Sequence, residues 1–363
     1  MQSIYIIAGE PSGDLHGGNL IKSLKSKSPD LTIYFWGGEH MESAGGILRK
    51  HYKELAFMGF WEVIVNIRTI QKNFAFCMAD ILEKKPDAVV LIDYPGFNLR
   101  MAKWLKERGF KVIYYISPQV WAWKENRVKD IKKYVDKMFV ILPFEKEFYK
   151  KWDYEVDYVG HPLLDALPPI SERNQPTNII ALLPGSRKQE IEQKLPIFLK
   201  MIAHFPDYQF IIAGVTHLGK DYYKPFLENN ACDIIYDDTY SLLQKADAAL
   251  VTSGTATLET ALFKVPQVVC YKGNRLSYEI GKRLIKVPFI ALVNLIMGRK
   301  IVEELIQTSL TEDNLVRELN RILDPIHREK LCQEYDVLRK KLGEIPASDT
   351  TAEGILKELK NVS

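Results

Sequence analysis

Short apolar runs recur along the chain, each followed by a small or polar turn and then by a segment with helical spacing. The first is Ser3–Ala8, and others fall at 32–36, 88–92, 111–116, 138–142 and 156–159. An unbroken apolar run bounded by turn residues is the pattern of a strand buried on both faces. Helical patterns at 15–27, 98–108 and 129–137 lie between these runs. Strands alternating with helices predict an α/β fold with a doubly wound parallel sheet. The stretch 167–178, LPPISERNQPTN, breaks the rhythm with three prolines and little apolar content, as a linker does. The rhythm then restarts with runs at 179–183, 209–213, 233–236, 247–252 and 267–271. A helical pattern at 190–205 holds Pro196, which must kink it or mark a fresh start. The expected organisation is an N-terminal domain at 1–166, a linker at 167–178, a C-terminal domain at 179–340 and a helical tail at 341–363 that closes the structure.

Two stretches depart from this pattern. In 57–82, Phe60, Ile64, Ile67, Phe74 and Ile81 follow helical spacing, and Trp61 and Phe76 widen the apolar stripe, with Arg68 and Lys72 among them. A helix packed on a sheet and a helix lying in a membrane interface both fit. In 276–300 basic residues surround an apolar run that contains Asn294, which requires a hydrogen-bonding partner if buried.

Composition narrows the classes. With 363 residues and 47% apolar content, the chain suffices for two full cores. A net charge of +3 does not by itself call for a nucleic-acid partner. The four cysteines lack CxxC pairing, which fits a reducing compartment. The chain opens directly on a strand, so no signal peptide is expected, and no apolar run approaches the length of a spanning helix. A cytosolic protein, able to lie on a membrane surface, is expected.

Candidate chemistry sits in the turns. Thr252-Ser253-Gly254-Thr255 joins an apolar run to a helix start, where unpaired N–H groups and the helix dipole suit a phosphate or diphosphate. Ser253, Thr255 and Thr257 add hydroxyls, and Glu259 lies about one turn further on, at a reach that suits a ribose. Gly185-Ser186-Arg187 offers N–H groups and a guanidinium. In the first half, Gly9 to Asp14 forms a small, acidic turn in which Ser12 and Asp14 are also ordinary capping residues. Asp93 ends a strand, where α/β sheets place their ligands. GxGxxG, GxxxxGK[ST], HExxH and GxSxG are all missing from these turns. The simplest reading is metal-free, with no cofactor: a diphosphate leaving group held by the second half, and Asp93 as general base.

Six segments together resemble the lipid-A-disaccharide synthase family. They are Ala8 to Asp14, Asp93 to Asn98, Ser117 to Trp123, Gly160-His161-Pro162, Leu183 to Arg187 and Ser253 to Glu259. The resemblance implies a GT-B fold, two Rossmann-like domains facing a cleft. It implies an inverting, metal-independent transfer from UDP-2,3-diacylglucosamine to 2,3-diacylglucosamine 1-phosphate, giving a β-1,6-linked disaccharide 1-phosphate and UDP. By the same resemblance, Asp93 is the base and Ser12 and Asp14 line the acceptor side. Gly185, Ser186, Arg187, Ser253, Gly254, Thr255, Glu259, Asn294 and Gln307 would hold the UDP-sugar. It favours docking of Phe60, Trp61, Ile64, Ile67 and Phe74 on the inner face of the inner membrane. The nearest rivals are another UDP-sugar enzyme, such as the lipid-linked glucosaminyltransferase of cell-wall synthesis or a UDP-sugar epimerase, and a non-catalytic UDP-sugar or lipid binder.

Overall fold

A computed structural model describes residues 2–54, 67–170, 176–228, 230–274, 278, 287–343 and 345–360. The chain forms two compact units, one of residues 1–166 with 342–363, the other of residues 167–341. The first holds a seven-stranded sheet: β1 (Ser3–Ala8), β2 (Thr32–Gly37), β3 (Ile47–His51), β4 (Ala88–Ile92), β5 (Lys111–Tyr115), β6 (Lys137–Val140) and β7 (Asp157–Tyr158). Their order is β3-β2-β1-β4-β5-β6-β7, and every pairing is parallel. The second holds β8 (Ile179–Leu183), β9 (Gln209–Gly214), β10 (Asp233–Tyr236), β11 (Ala248–Thr252), β12 (Gln267–Tyr271) and β13 (Glu303–Ile306), in the order β10-β9-β8-β11-β12-β13.

The apolar runs explain the layering. Successive side chains of a strand point to opposite faces. Ile4, Ile6 and Ala8 therefore enter one core, with Leu20 and Ile21 of the helix Pro11–Lys27. Tyr5 and Ile7 enter the other, with Cys77 and Ile81 of the helix Ile67–Lys84 and Met101 of the helix Pro95–Lys106. The last helix, Ala347–Lys360, returns to the first unit, and its Ala352, Ile355 and Leu359 join the Ile4 face. The strands β3 and β13 were not legible as apolar runs. Both are edge strands rich in charge, ILRKH and EELI, as edges that must resist further pairing often are.

The helix expected over 57–82 is described from Ile67 to Lys84. Phe60, Trp61 and Ile64 lie outside the described residues, as does the side chain of Ile67. Phe74, expected on the lipid-facing stripe, turns into the protein instead: its ring stacks on Phe97 at 4.1 Å and packs against the core around Met101. Pro196 neither breaks nor restarts its helix, which runs Lys188–Leu199 and continues as a 3-10 turn to His204. Among the described residues no helix is long and apolar enough to cross a membrane.

Both sheets reverse direction of strand order at one point, between β1 and β4 and between β8 and β11. Loops diverge there, and a crevice opens at the carboxyl ends of the two strands. The pairings Ala8↔Ile92 and Leu183↔Val251 bring Gly9 beside Asp93, and Pro184 beside Thr252, as the chain leaves each sheet.

One buried charge ties the sheet edge to the helix Ile67–Lys84. Asp80 accepts from Arg49 of β3, from its Nη2 at 2.6 Å and from its Nε at 3.0 and 3.1 Å, and from the Tyr5 hydroxyl at 2.6 Å. Removing one partner of a buried ion pair leaves an uncompensated charge. Arg49→Ala is expected to lower the stability of the first unit by about 3 kcal/mol, measured by denaturant unfolding.

Candidate active site

In the first unit, Asp93 and Tyr94 adopt left-handed backbone conformations, with φ of 43° and 48°. Two consecutive non-glycine residues in that region are strained, and the surroundings must impose the conformation. They do so through the backbone. The Asp93 N–H donates to the Tyr115 carbonyl at 3.1 Å. The Asp93 carbonyl accepts from Asn98 Nδ2 at 2.8 Å and from the Tyr114 hydroxyl at 2.6 Å. The Tyr94 ring lies over Gly9, where a Cβ would stand 2.3 Å from it, so no other residue fits at the end of β1. The Asp93 carboxylate takes no part in these bonds. Burial, then the nearby Glu10 carboxylate, push it up to about 6, against an opposing backbone N–H at Tyr94.

Ser12 is exposed in the first turn of the helix Pro11–Lys27. Asp14 differs from the acceptor-side contact expected of it. It is buried, and its carboxylate accepts the N–H groups of Gly38, His40 and Met41 at 2.7, 3.1 and 3.2 Å. Those are the orphan donors at the start of the helix Glu39–Ser43, so Asp14 holds the loop after β2.

The first unit also buries polar groups away from Asp93's own hydrogen bonds, Ser117, Glu145 and His161 among them. Glu145, which sequence reasoning missed, accepts from Trp121 Nε1 at 3.2 Å and from the Leu142 N–H at 2.9 Å. Burial pushes its carboxyl up to about 7. The Ser117 and Tyr149 hydroxyls pair at 2.6 Å. His161 accepts from the Leu163 N–H at 3.2 Å, and burial holds it neutral, near 3, with His16 also contributing. The only sequence signal for Glu145 was the need of a buried Trp121 indole for an acceptor.

In the second unit, a cleft of about 440 Å³ lies at the β8/β11 reversal. It is lined by Gly185, Ser186, Arg187, Ser253, Gly254, Thr255 and Glu259, which are thereby brought together. Gly185 has a φ of +118°, and a Cβ there would stand 2.3 Å from the Glu190 carboxylate. Glu190 and Thr239 also line the cleft and had no signal in the turn motifs. The Arg187 side chain is 73% exposed and comes only within 4.0 Å of Glu190, so its donors face solvent. The helix Thr255–Leu262 starts at Gly254. The Thr257 hydroxyl, expected as a ligand donor, is buried and bonds the Gly254 carbonyl at 2.9 Å. Glu259 is raised above the usual carboxylate range by burial, with the Tyr240 hydroxyl at 3.4 Å opposing. One guanidinium with N–H groups and hydroxyls beside it, and the Glu259 carboxylate in the same cleft, suit a diphosphate joined to a diol.

Asn294 corrects the expectation that it contacts a donor sugar. It is fully buried, its Nδ2 donates to the Val302 carbonyl and to Glu304, and its Oδ1 accepts the N–H groups of Ile301 and Val302. All four of its bonding positions are used inside the protein. Gln307 is half-buried, donates to the Gly273 carbonyl at 3.2 Å, and is not among the residues that line the cleft. Among the described residues no three His, Cys, Asp or Glu side chains form a metal-binding group.

Comparison with known proteins agrees with this geometry. Residues 4–351 match a family model described as lipid-A-disaccharide synthetase. A lipid-A-disaccharide synthase of Geobacter metallireducens is 39% identical over 372 positions, covering 98% of this chain and 97% of the relative. One of Coxiella burnetii is 39% identical over 368 positions, covering 98% of each chain. Among solved structures, Acinetobacter baumannii MurG superposes with a TM-score of 0.63 at 12% identity, covering 98% of this chain and 100% of that one. CalG4, the calicheamicin glycosyltransferase, gives 0.64 at 14% identity, covering 100% and 99%. A UDP-GlcNAc 2-epimerase from Neisseria meningitidis, bound to UDP-GlcNAc, gives 0.58 at 12% identity, covering all of both chains.

Two parallel-sheet units, each with its strand order reversing once, give this chain the GT-B fold that it shares with these glycosyltransferases and epimerases, and the family match within that fold makes it a glycosyltransferase. Within that class, the chain belongs to the lipid-A-disaccharide synthase family, which carries out the disaccharide-forming step of lipid A synthesis from a UDP-sugar donor and a sugar-phosphate acceptor.

The buried polar groups make a pH prediction. A carboxyl whose folded pKa is raised binds its proton more tightly in the folded state, so its contribution to stability is full below the unfolded value and is lost as pH rises through the folded one. Stability should fall between pH ~4.5 and ~7, with Glu145 as one source. Glu145→Gln should flatten that part of the melting-temperature profile. An unchanged slope would show that Glu145 does not titrate there.

Proposed function

We propose that the enzyme joins UDP-2,3-diacylglucosamine to 2,3-diacylglucosamine 1-phosphate by a single inverting displacement, with Asp93 as the general base. The acceptor 6-hydroxyl gives its proton to Asp93 as its oxygen bonds to the anomeric carbon. The bond from that carbon to the UDP oxygen breaks in the same displacement, and the electron pair leaves with UDP. One displacement inverts the anomeric centre and gives the β-1,6 linkage. Arg187 and the N–H groups at Gly185-Ser186 and Ser253–Thr255 stabilise the charge that grows on the diphosphate, and Glu259 takes the ribose diol. No metal or organic cofactor enters the reaction.

The observation that carries this reading is Asp93 itself, a carboxylate at the sheet's reversal point whose backbone fixes the loop and whose affinity for a proton is raised to about 6. A base works best with a pKa close to the operating pH. The substrates' acyl chains and the aromatic, basic stretch that contains Phe60, Trp61 and Ile64 support work at the cytoplasmic face of the inner membrane.

Asp93→Asn should lower kcat by roughly a thousandfold while UDP affinity persists. Undiminished turnover removes Asp93 as the base. In the unaltered enzyme, kcat/KM should fall about tenfold per pH unit below ~6 and level off above it, because only the ionised base accepts the proton. Arg187→Ala should weaken UDP binding by about tenfold or more in calorimetry. Serine at Phe60, Trp61 and Ile64 together should reduce flotation with liposomes without a loss of thermal transition.

A further inference from the structure

A second hollow, of about 330 Å³, opens on the first unit and is separate from the loop bonds that hold Asp93. One side is the start of the helix Pro95–Lys106, with Pro95, Gly96, Arg100 and Lys103. The other is the segment that carries Arg127 and Tyr134. Three cations converge there against a single carboxylate, Asp130. Among the described residues, neither the Arg100 nor the Arg127 guanidinium has a hydrogen-bonding or ion-pair partner, although Arg100 lies 6.0 Å from the Phe74 ring centroid. Lys103 comes only within 4.0 Å of Glu107. Clustered guanidinium groups repel one another, and an anion between them relieves that repulsion and offers paired hydrogen bonds. The 12-residue helix adds its positive end. At Gly96 no atom lies within 4 Å of where a Cβ would stand, so the backbone of that first turn is open to a ligand.

The hollow is also close to the base. Two residues, Tyr94 and Pro95, lie between Asp93 and Gly96, so their Cα atoms are three steps and at most about 11 Å apart. The sugar-phosphate acceptor carries its phosphate on C1 and its reacting hydroxyl on C6, which is attached to C5; C1 and C5 flank the ring oxygen, so one short span separates the two groups. We propose that this hollow is the acceptor's phosphate subsite, in which Arg127 and Arg100 grip the phosphomonoester and thereby aim the hydroxyl at Asp93. The choice of this acceptor as occupant rests on the proposed reaction, whichever group removes its proton. The same cations would suit an anionic lipid headgroup, so the test separates the two sources.

The full-length enzyme is assayed with diacylglucosamine 1-phosphate and with its dephosphorylated form. Its preference for the phosphorylated acceptor should fall about ten- to a hundredfold in the Arg100→Ala/Arg127→Ala pair, through a higher KM for that acceptor and an unchanged KM for the donor. Arg127→Gln, which keeps the side chain's bulk, should lose part of the preference, and Arg127→Lys should retain more of it. Equal losses on both acceptors, or an intact preference, overturn the proposal. Binding to neutral and to anionic phospholipid vesicles is measured on the same variants. A loss confined to anionic vesicles, with acceptor preference intact, assigns the hollow to headgroups and also overturns it. Equilibrium binding of the phosphorylated acceptor is repeated in Asp93→Asn, which does not depend on turnover. If Asp93→Asn is fully active but binding still requires Arg127, the base reading fails and the phosphate subsite stands.

Discussion

The first unit depends on how the end of β4 is held. Asp93 and Tyr94 sit in left-handed geometry that costs on the order of 1–3 kcal/mol each. Asn98, Tyr114 and the Tyr115 carbonyl fix their backbone, and Gly9 yields the space that the Tyr94 ring occupies. Because the backbone carries these bonds, the Asp93 carboxylate is available for chemistry while it sits beside Glu10 and partly out of water. The same surroundings that strain the chain therefore raise the carboxylate's proton affinity. Glu145 and Asp14 brace the neighbouring loops in the same manner, by accepting backbone or indole N–H groups.

The second unit solves a different problem with the same topology. At the reversal between β8 and β11 it gathers N–H groups, hydroxyls and one exposed guanidinium, with the carboxylate of Glu259 further along. In the proposed reaction the base belongs to one sheet and the leaving-group site to the other. Asn294 and Glu304 contribute indirectly: Glu304 accepts the N–H groups of Ile290 and Ala291, and Asn294 ties the following turn to the start of β13. The Ile290 carbonyl in turn accepts the Ser253 hydroxyl at 3.3 Å.

Much of this was legible in the chain. Buried parallel strands must be apolar on both faces, so β1, β4, β8 and β11 announce themselves, and the turns after them are where the site forms. The two charged edge strands carry the opposite signal, which hid β3 and β13. Polar residues were harder to place. Motifs single out Asp14 and Thr257, and an apolar run singles out Asn294, but a buried polar group can serve the backbone as readily as a ligand, and these three do. Phe74 shows the same ambiguity for apolar residues, since helical spacing alone does not say whether a ring meets the core or a lipid. Arg100 and Arg127 stayed hidden because they come together only in three dimensions, from two segments.

The central claim is that the strained loop keeps the Asp93 carboxylate poised for proton transfer. It is tested most directly by following that carboxyl carbon by NMR in protein labelled at aspartate, with Asp93→Asn used to assign the signal. A titration midpoint at about 6 is the expected result. A midpoint near the ordinary aspartate value of about 4 would contradict the account.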